Sequence, residues 1–294
     1  MQVPASFQYR KATSVEHALA LLAEYGPESA VVAGGHSLLP MMKLRLAHPE
    51  ALIDINDLGE LAGIRVEDGE LVIGAMARHA DLLRHAEAGE LFPILHDAER
   101  VIADPIVRNR GTVGGSLCQA DPSEDLSAVF AALRASLVVH GSDGPRTVPA
   151  RDFFVGPYQT VLAGGELLGE IRVPIRARDT SGSSAYVKVD RRAGDWAVAA
   201  AGAVVSVENG MVADVGIGLT ALGAERFVAA EAEDFLRGGP PTEAGFVEAG
   251  RIAAEHCRPA ADQRGPVDYK RHLAGELVTR ALRHAVGRAA GRVR

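Results

Sequence analysis

The chain has 294 residues, 47% of them hydrophobic, which is enough for two compact domains with large cores. A formal charge of −7 and an aromatic content of 5% exclude the basic, stacking surface that nucleic acid demands. No apolar run approaches eighteen residues, at the start from Met1 to Lys11 or later, so the expectation is a cytoplasmic chain with neither signal peptide nor membrane span.

Ser14 can cap a helix over residues 15–25, because Leu19, Leu22 and the flanking alanines fall at helical spacing. Residues 30–33 read as a buried strand, 38–46 as a helix and 52–55 as a strand, giving a small α/β lobe over residues 1–57. Between the first two lies Val31-Val32-Ala33-Gly34-Gly35-His36-Ser37-Leu38. Such a Gly-Gly lets the backbone leave a strand, turn with positive φ and bare its N–H groups, which together form a concave nest for an anion. The loop runs into a helix whose first turn adds partial positive charge. Lys43 and Arg45 either assist there or are merely solvated, and His36, without a partner cluster, reads as a hydrogen-bonding or packing residue rather than a base.

A second lobe, residues 58–176, begins with strands 63–66 and 70–74 around Asp68-Gly69, a hairpin signal, and continues into a helix over 80–88. A second glycine stretch follows, Gly111-Thr112-Val113-Gly114-Gly115-Ser116-Leu117. Two nests, each ending in a hydroxyl (Ser37 and Ser116), suit a ligand with two linked phosphates. Arg108 and Arg110 either balance phosphate charge or face solvent. Cys118 and Cys257 are the only cysteines, without a CxxC or Cys/His cluster, so the chain can hold neither an iron–sulfur centre nor a structural zinc on its own. Both read as buried small apolar residues. A helix over 125–134 has Asp121 as cap, Pro122 at its first position and Glu124 closing a capping box, which gives both acids a structural use before a chemical one. Asp125 either accepts from ribose hydroxyls or ring N–H groups, or is a first-turn helix acid. Strands over 136–140, 146–149 and 167–173 complete this lobe.

Residues 175–184, rich in Pro, Gly, Ser and charge, read as a linker. In the third region, 177–294, Tyr186 to Trp196 opens a long apolar strand. Trp196, the only tryptophan, is either core or a cover for a flat ring, in which case Lys188 would stabilise a reduced, anionic ring. Strands over 197–207 and 211–219 flank Asn209-Gly210, another hairpin signal. Residues 216–221 match the GxGxxA dinucleotide fingerprint, but Glu233 and Asp234 some twenty positions on lie in a helix, so a strand passing through a glycine-rich bend is expected instead. Helices over 224–236, 243–256 and 269–290 complete an α+β domain.

The set AGGHSLLPMMKLRL, IADPIVRNRGTVGGSLCQADPSEDL, ELLGEIRVP, YVKVDRRAGDWAVAAA and residues 262–270 resembles the FAD-binding medium subunits of the molybdenum hydroxylases, the xanthine dehydrogenase-like family, and within them most the aerobic carbon monoxide dehydrogenase branch. The resemblance implies an α+β chain with a two-lobed FAD-binding domain of the vanillyl-alcohol oxidase/p-cresol methylhydroxylase type and a C-terminal α+β domain. It implies that Ala33, Gly34, Gly35, His36 and Ser37, flanked by Val32 and Leu38, and Thr112, Val113, Gly114, Gly115 and Ser116 hold the FAD diphosphate. By the same resemblance Asp125 and Lys188 contact the cofactor, Leu168 and Ile102 lie near it, and Trp196 flanks the isoalloxazine where a relative carries Tyr. Ser116 stands where many members have Asn.

No residue is assigned to catalysis or to a metal. The implied role is electron transfer: a large molybdenum subunit oxidises substrate, a small subunit carries [2Fe-2S] clusters, and FAD in this chain passes electrons to an external acceptor such as a quinone, the three subunits forming a dimer of heterotrimers. Association of that complex with the inner face of the membrane is left open. The alternatives are a medium subunit for a purine, aldehyde or aromatic heterocycle, a self-contained flavin oxidoreductase, and a non-catalytic nucleotide-binding module.

Overall fold

Alternation of short apolar strands with amphipathic helices builds the first lobe of the computed structural model, which describes residues 3–175 and 181–290. The lobe comprises β1 (Gln8–Lys11), α1 (Val15–Tyr25), β2 (Ser29–Val32), α2 (Leu38–Lys43) and β3 (Ala51–Asp54), with the strands parallel in the order β1-β3-β2. Ser14 caps α1 by accepting from His17 N (3.1 Å), and α1 buries Val15, Ala18, Leu21 and Leu22 against Ile53 and Ile55. The helix expected to reach residue 46 stops at Lys43, because Arg45 is left-handed with φ 58°.

The second lobe opens with the expected hairpin, β4 (Ile64–Glu67) and β5 (Glu70–Gly74), turning through Asp68 and Gly69 at φ 52° and 77°. The helix expected over 80–88 is two, α3 (His79–Arg84) and α4 (Ala86–Leu91), because His85 is extended at ψ 100° and its ring accepts from Ala88 N. Three further helices follow, α5 (Pro93–Val101), α6 (Pro105–Arg108) and α7 (Val113–Gln119), and then α8 (Leu126–Leu133), all eight of whose residues are buried. The capping box predicted for α8 does not form. Asp121 accepts from Ser123 N (2.9 Å) in a turn of its own, and Glu124 caps the helix alone, accepting from Leu126 N (3.0 Å) and Ser127 N. The lobe ends with β6 (Ser136–Gly141), β7 (Gly144–Pro149), α9 (Ala150–Phe153), a short pair β8 (Phe154–Gly156) and β9 (Gln159–Thr160), and β10 (Leu167–Pro174). Its main sheet is antiparallel in the order β4-β5-β10-β6-β7.

Of the linker expected over 175–184, residues 176–180 lie outside the described residues, and 181–184 are not linker but the start of a strand paired with residues 204–207. The third unit carries β11 (Ser181–Val189), β12 (Ala199–Glu208) and β13 (Met211–Thr220) in one antiparallel sheet, followed by α10 (Ala230–Leu236), α11 (Glu243–His256) and α12 (Val267–Ala289). Helices α10 and α12 cover one face of this sheet, with α11 packed on both, and α8 with α5 covers the other. Thus α8 is a shared middle layer. The fingerprint-like glycines serve this contact: a Cβ on Gly216 would lie 2.0 Å from the Ala132 carbonyl oxygen, and one on Gly218 2.1 Å from that of Ala128. Ion pairs reinforce the junction. Buried Glu233 of α10 takes Arg151 (2.6 and 3.0 Å) and Ile217 N (2.8 Å), and Arg288 of α12 forks onto Asp97 of α5 (2.6 and 3.0 Å). Since one methyl at Gly218 must push α8 off β13, Gly218→Ala should destabilise the chain by about 1–3 kcal/mol. Urea denaturation measures this, and an unchanged midpoint would show that the layer yields freely.

Candidate functional site

The three units meet around a cavity of about 620 Å³. One wall is the first glycine loop. Gly34 lies directly on the second lobe: a Cβ there would sit 2.4 Å from the Arg110 carbonyl oxygen and 2.7 Å from Gly111 Cα. Gly35 supplies the left-handed turn at φ 78°. The backbone N–H groups of residues 34–38 have no protein acceptor among the described residues, so the loop is an open anion nest as its sequence predicts. Asn56 clamps it: its side-chain amide donates to Ala33 O (2.7 Å), while its Oδ1 accepts from Arg78 (2.8 Å) and Arg110 (3.3 Å). Arg78 also donates to Arg110 O (2.5 Å), which ties both loops to one bracket.

The second glycine stretch is not a nest. Thr112 caps α7 by accepting from Gly115 N (3.1 Å), so Gly114 and Gly115 lie within the first helical turn and neither takes positive φ. The remaining donors are also spent: Val113 N on Ala77 O (2.9 Å), Gly114 N on Ala75 O (2.8 Å) and Ser116 N on Thr112 O (3.0 Å). This stretch offers the cavity a helix face instead, on which Gly115, Ser116, Cys118 and Gln119 recur at helical spacing. Cys118 is therefore exposed on the wall, contrary to expectation, whereas Cys257 is buried.

Ala33, His36, Ser37 and Leu38 line the cavity beside the two glycines, and Thr112 and Gly114 line it beside α7. Val32 and Val113 do not. Val32 packs with Met42 and Leu52, and Val113 is fully buried in the core of the second lobe, each on the inner side of its element. His36 is exposed at the lip of the cavity, and its ring has no protein hydrogen-bond partner among the described residues. None of the four basic residues near the loops reaches the wall. Lys43 and Arg45 point elsewhere, Arg110 is held by Asn56, and Arg108 donates to the carbonyls of Ile102 (2.7 Å) and Ala103 (2.9 Å). That last contact fixes the segment presenting Ile102.

Ile102, Leu168 and Trp196 also line the cavity, and Trp196 is 44% exposed and so is not the core residue its size suggested. Asp125 and Lys188 also line the cavity, and they bind each other: Lys188 Nζ is 2.9 Å from Asp125 Oδ2 and donates to Val101 O (3.2 Å). The Tyr186 hydroxyl donates to Asp125 Oδ1 (2.7 Å) and shares a hydrogen bond with Thr220 (3.1 Å). Burial raises the Asp125 pKa while the Lys188 charge and hydrogen bond lower it, with a net upward result. Burial likewise pushes Glu124 up to about 7. Buried His79 also lines the cavity, and behind it its Nδ1 lies 3.0 Å from a carboxylate oxygen of fully buried Glu99. Nothing local in the sequence pairs residues on separate helices, and the same holds for Asn56 and Arg78.

Comparison with known proteins places both domains in a family. Residues 5–176 match the family model for the FAD binding domain in molybdopterin dehydrogenase, and residues 184–285 that for the CO dehydrogenase flavoprotein C-terminal domain. The chain is 43% identical over 288 residues to the carbon monoxide dehydrogenase medium chain of Hydrogenophaga pseudoflava, covering 98% of this chain and 100% of that one. It is 35% identical over 287 residues to the 6-hydroxypseudooxynicotine dehydrogenase complex subunit alpha of Paenarthrobacter nicotinovorans, covering 97% and 96%. Among solved structures it superposes on carbon monoxide dehydrogenase from Hydrogenophaga pseudoflava with a TM-score of 0.93 at 44% identity, covering 97% of this chain and 99% of that one. With a three-walled cavity, an open anion nest and both domain models matched in order, the chain belongs to the FAD-binding medium chains of the molybdopterin dehydrogenase family.

Proposed function

We propose that the chain is the FAD-carrying medium subunit of an aerobic carbon monoxide dehydrogenase. The observation that carries the FAD site is the run of unpartnered N–H groups at residues 34–38, opening into a cavity long enough to be walled by all three units. The match of the C-terminal domain to the carbon monoxide dehydrogenase flavoprotein type, together with the higher identity to a medium chain of that enzyme, favours carbon monoxide over a heterocycle as the substrate of the complex. Partner chains would be a large molybdenum subunit and a small iron–sulfur subunit in a dimer of heterotrimers working in the cytoplasm, with a quinone or other carrier as acceptor. Two cysteines cannot ligate a four-thiolate cluster, so on this reading the [2Fe-2S] centres would be carried by a partner, the small subunit.

The residues present fit FAD. The N–H groups of residues 34–38 would donate to diphosphate oxygens, with the Ser37 and Ser116 hydroxyls as further donors. Bound there, FAD supplies one- and two-electron redox chemistry that no side chain here can provide. Ile102, Leu168 and Trp196 would shield the flat ring from water, and Asp125 with Lys188 would present a fixed acceptor and a fixed cation beside it. No side chain is given a chemical step on carbon monoxide.

Three outcomes are expected. The full-length chain should bind one FAD without a covalent link, so acid precipitation should leave all the yellow colour in the supernatant, and Gly35→Val, strained by about 1–3 kcal/mol, should weaken binding roughly tenfold or more. Full occupancy in that variant would return the loop to a plain turn. Trp196→Ala should retain FAD and fluoresce more strongly, because a stacked indole quenches flavin; unchanged emission would remove Trp196 from the ring. Carbon monoxide should leave the purified single chain yellow although dithionite bleaches it, whereas the complex should bleach with carbon monoxide. Bleaching of a molybdenum- and iron-free single chain by carbon monoxide would overturn the subunit reading.

A further inference from the structure

His79 begins α3 and is only 4% exposed, yet it lines the cavity. Its Nδ1 lies 3.1 and 3.0 Å from the two oxygens of Glu99, a fully buried residue of α5 with no other hydrogen-bond partner among the described residues. The carboxylate fixes the ring. Nδ1–H donates to Glu99, so the opposite edge of the imidazole is turned away from that partner. There Nε2 has no protein partner among the described residues and lies beside Gly111, where an added Cβ would be 3.3 Å from it. The side chain as a whole is 5% exposed and lines the cavity, so an Nε2 without a protein partner is left to bond what the cavity holds.

The charge of the wall points the same way. Asp104, Glu124, Asp125, Glu166 and Asp195 line the cavity, and Lys188 is already engaged by Asp125. Glu166 is paired with Arg146 and Asp195 lies beside Arg191, so what this wall lacks among the described residues is a free basic side chain for a dinucleotide's two phosphate charges. We propose that His79, positioned by Glu99, is a binding residue of this site and donates from Nε2 to an oxygen of the bound dinucleotide beside Gly111. This rests on FAD occupying the cavity. Burial lowers the His79 pKa, but the charge and hydrogen bond of Glu99, with Glu124 and Asp125 beyond it, raise it on balance above the ordinary histidine value. Of the basic groups nearby, Arg78, next to His79 in the chain, and Arg110, next to Gly111, are turned onto Asn56, Lys188 on β11 is paired with Asp125, and Arg108 on α6 is turned onto the Ile102 and Ala103 carbonyls. The imidazolium form, with a proton on each nitrogen, is thus the favoured donor below its raised pKa. The donor is lost as pH climbs through it.

The test is FAD titration of the full-length chain from pH 6 to 9, followed by flavin fluorescence. Wild-type affinity should fall as pH rises, and His79→Gln should bind about tenfold more weakly at pH 6 with a flatter pH profile. In ¹⁵N-histidine-labelled wild-type chain, the His79 Nε2 resonance should move when FAD is added, a measurement that stands even if the variant misfolds. An unmoved resonance with FAD bound, or a folded variant with wild-type affinity and pH profile, would overturn the role of His79 while leaving the FAD site intact. A wild-type chain that takes up no FAD would overturn both.

Discussion

The approach of Gly34 to the backbone at Arg110 and Gly111 is the constraint on which the site depends. Two loops from different lobes touch main chain to main chain, and a single methyl at Gly34 would force them apart. Beside this joint the N–H groups of residues 34–38 have no protein acceptor among the described residues. Asn56 and Arg78 then convert proximity into a fixed geometry, binding carbonyl groups of both loops through one amide and one guanidinium.

The third unit closes the site through the same logic of shared elements. Helix α8 is packed on both sides, against the antiparallel sheet of the second lobe and against β12 and β13. Asp125 stands at its N-terminus and is gripped by Tyr186 and Lys188 of β11, so the position of the third unit is written into the wall of the cavity. An ion pair buried this deeply gains little net stability over apolar packing. Its value here is geometric: neither partner can leave without exposing an uncompensated charge to the interior.

Anion binding in this cavity relies on backbone more than on basic side chains. The arginines and lysines near the glycine loops are turned onto carbonyls or solvent, and acids outnumber bases along the wall. Main-chain N–H groups do not titrate and need no side-chain ordering, so a nest held by tertiary contacts recognises diphosphate at little entropic cost.

Features set by a few consecutive residues were legible in the sequence. The Ser14 cap, the hairpins at Asp68-Gly69 and Asn209-Gly210, and the open nest at Gly34-Gly35 each follow from local chemistry. The two glycine motifs in order also carried the family and its cofactor. Local reading failed where a residue has two plausible local uses. Thr112 could end a loop or cap a helix, and Asp121 and Glu124 could share one cap or form two turns; packing of α7 against Ala75 and of α8 between two sheets chose between them. Trp196 on the wall, the Asp125–Lys188 pair, the His79–Glu99 pair and the Asn56 bracket join residues from separate elements. Their chemistry depends on distances across the chain, which side-chain spacing within a helix or strand does not encode, so only the tertiary structure decides them.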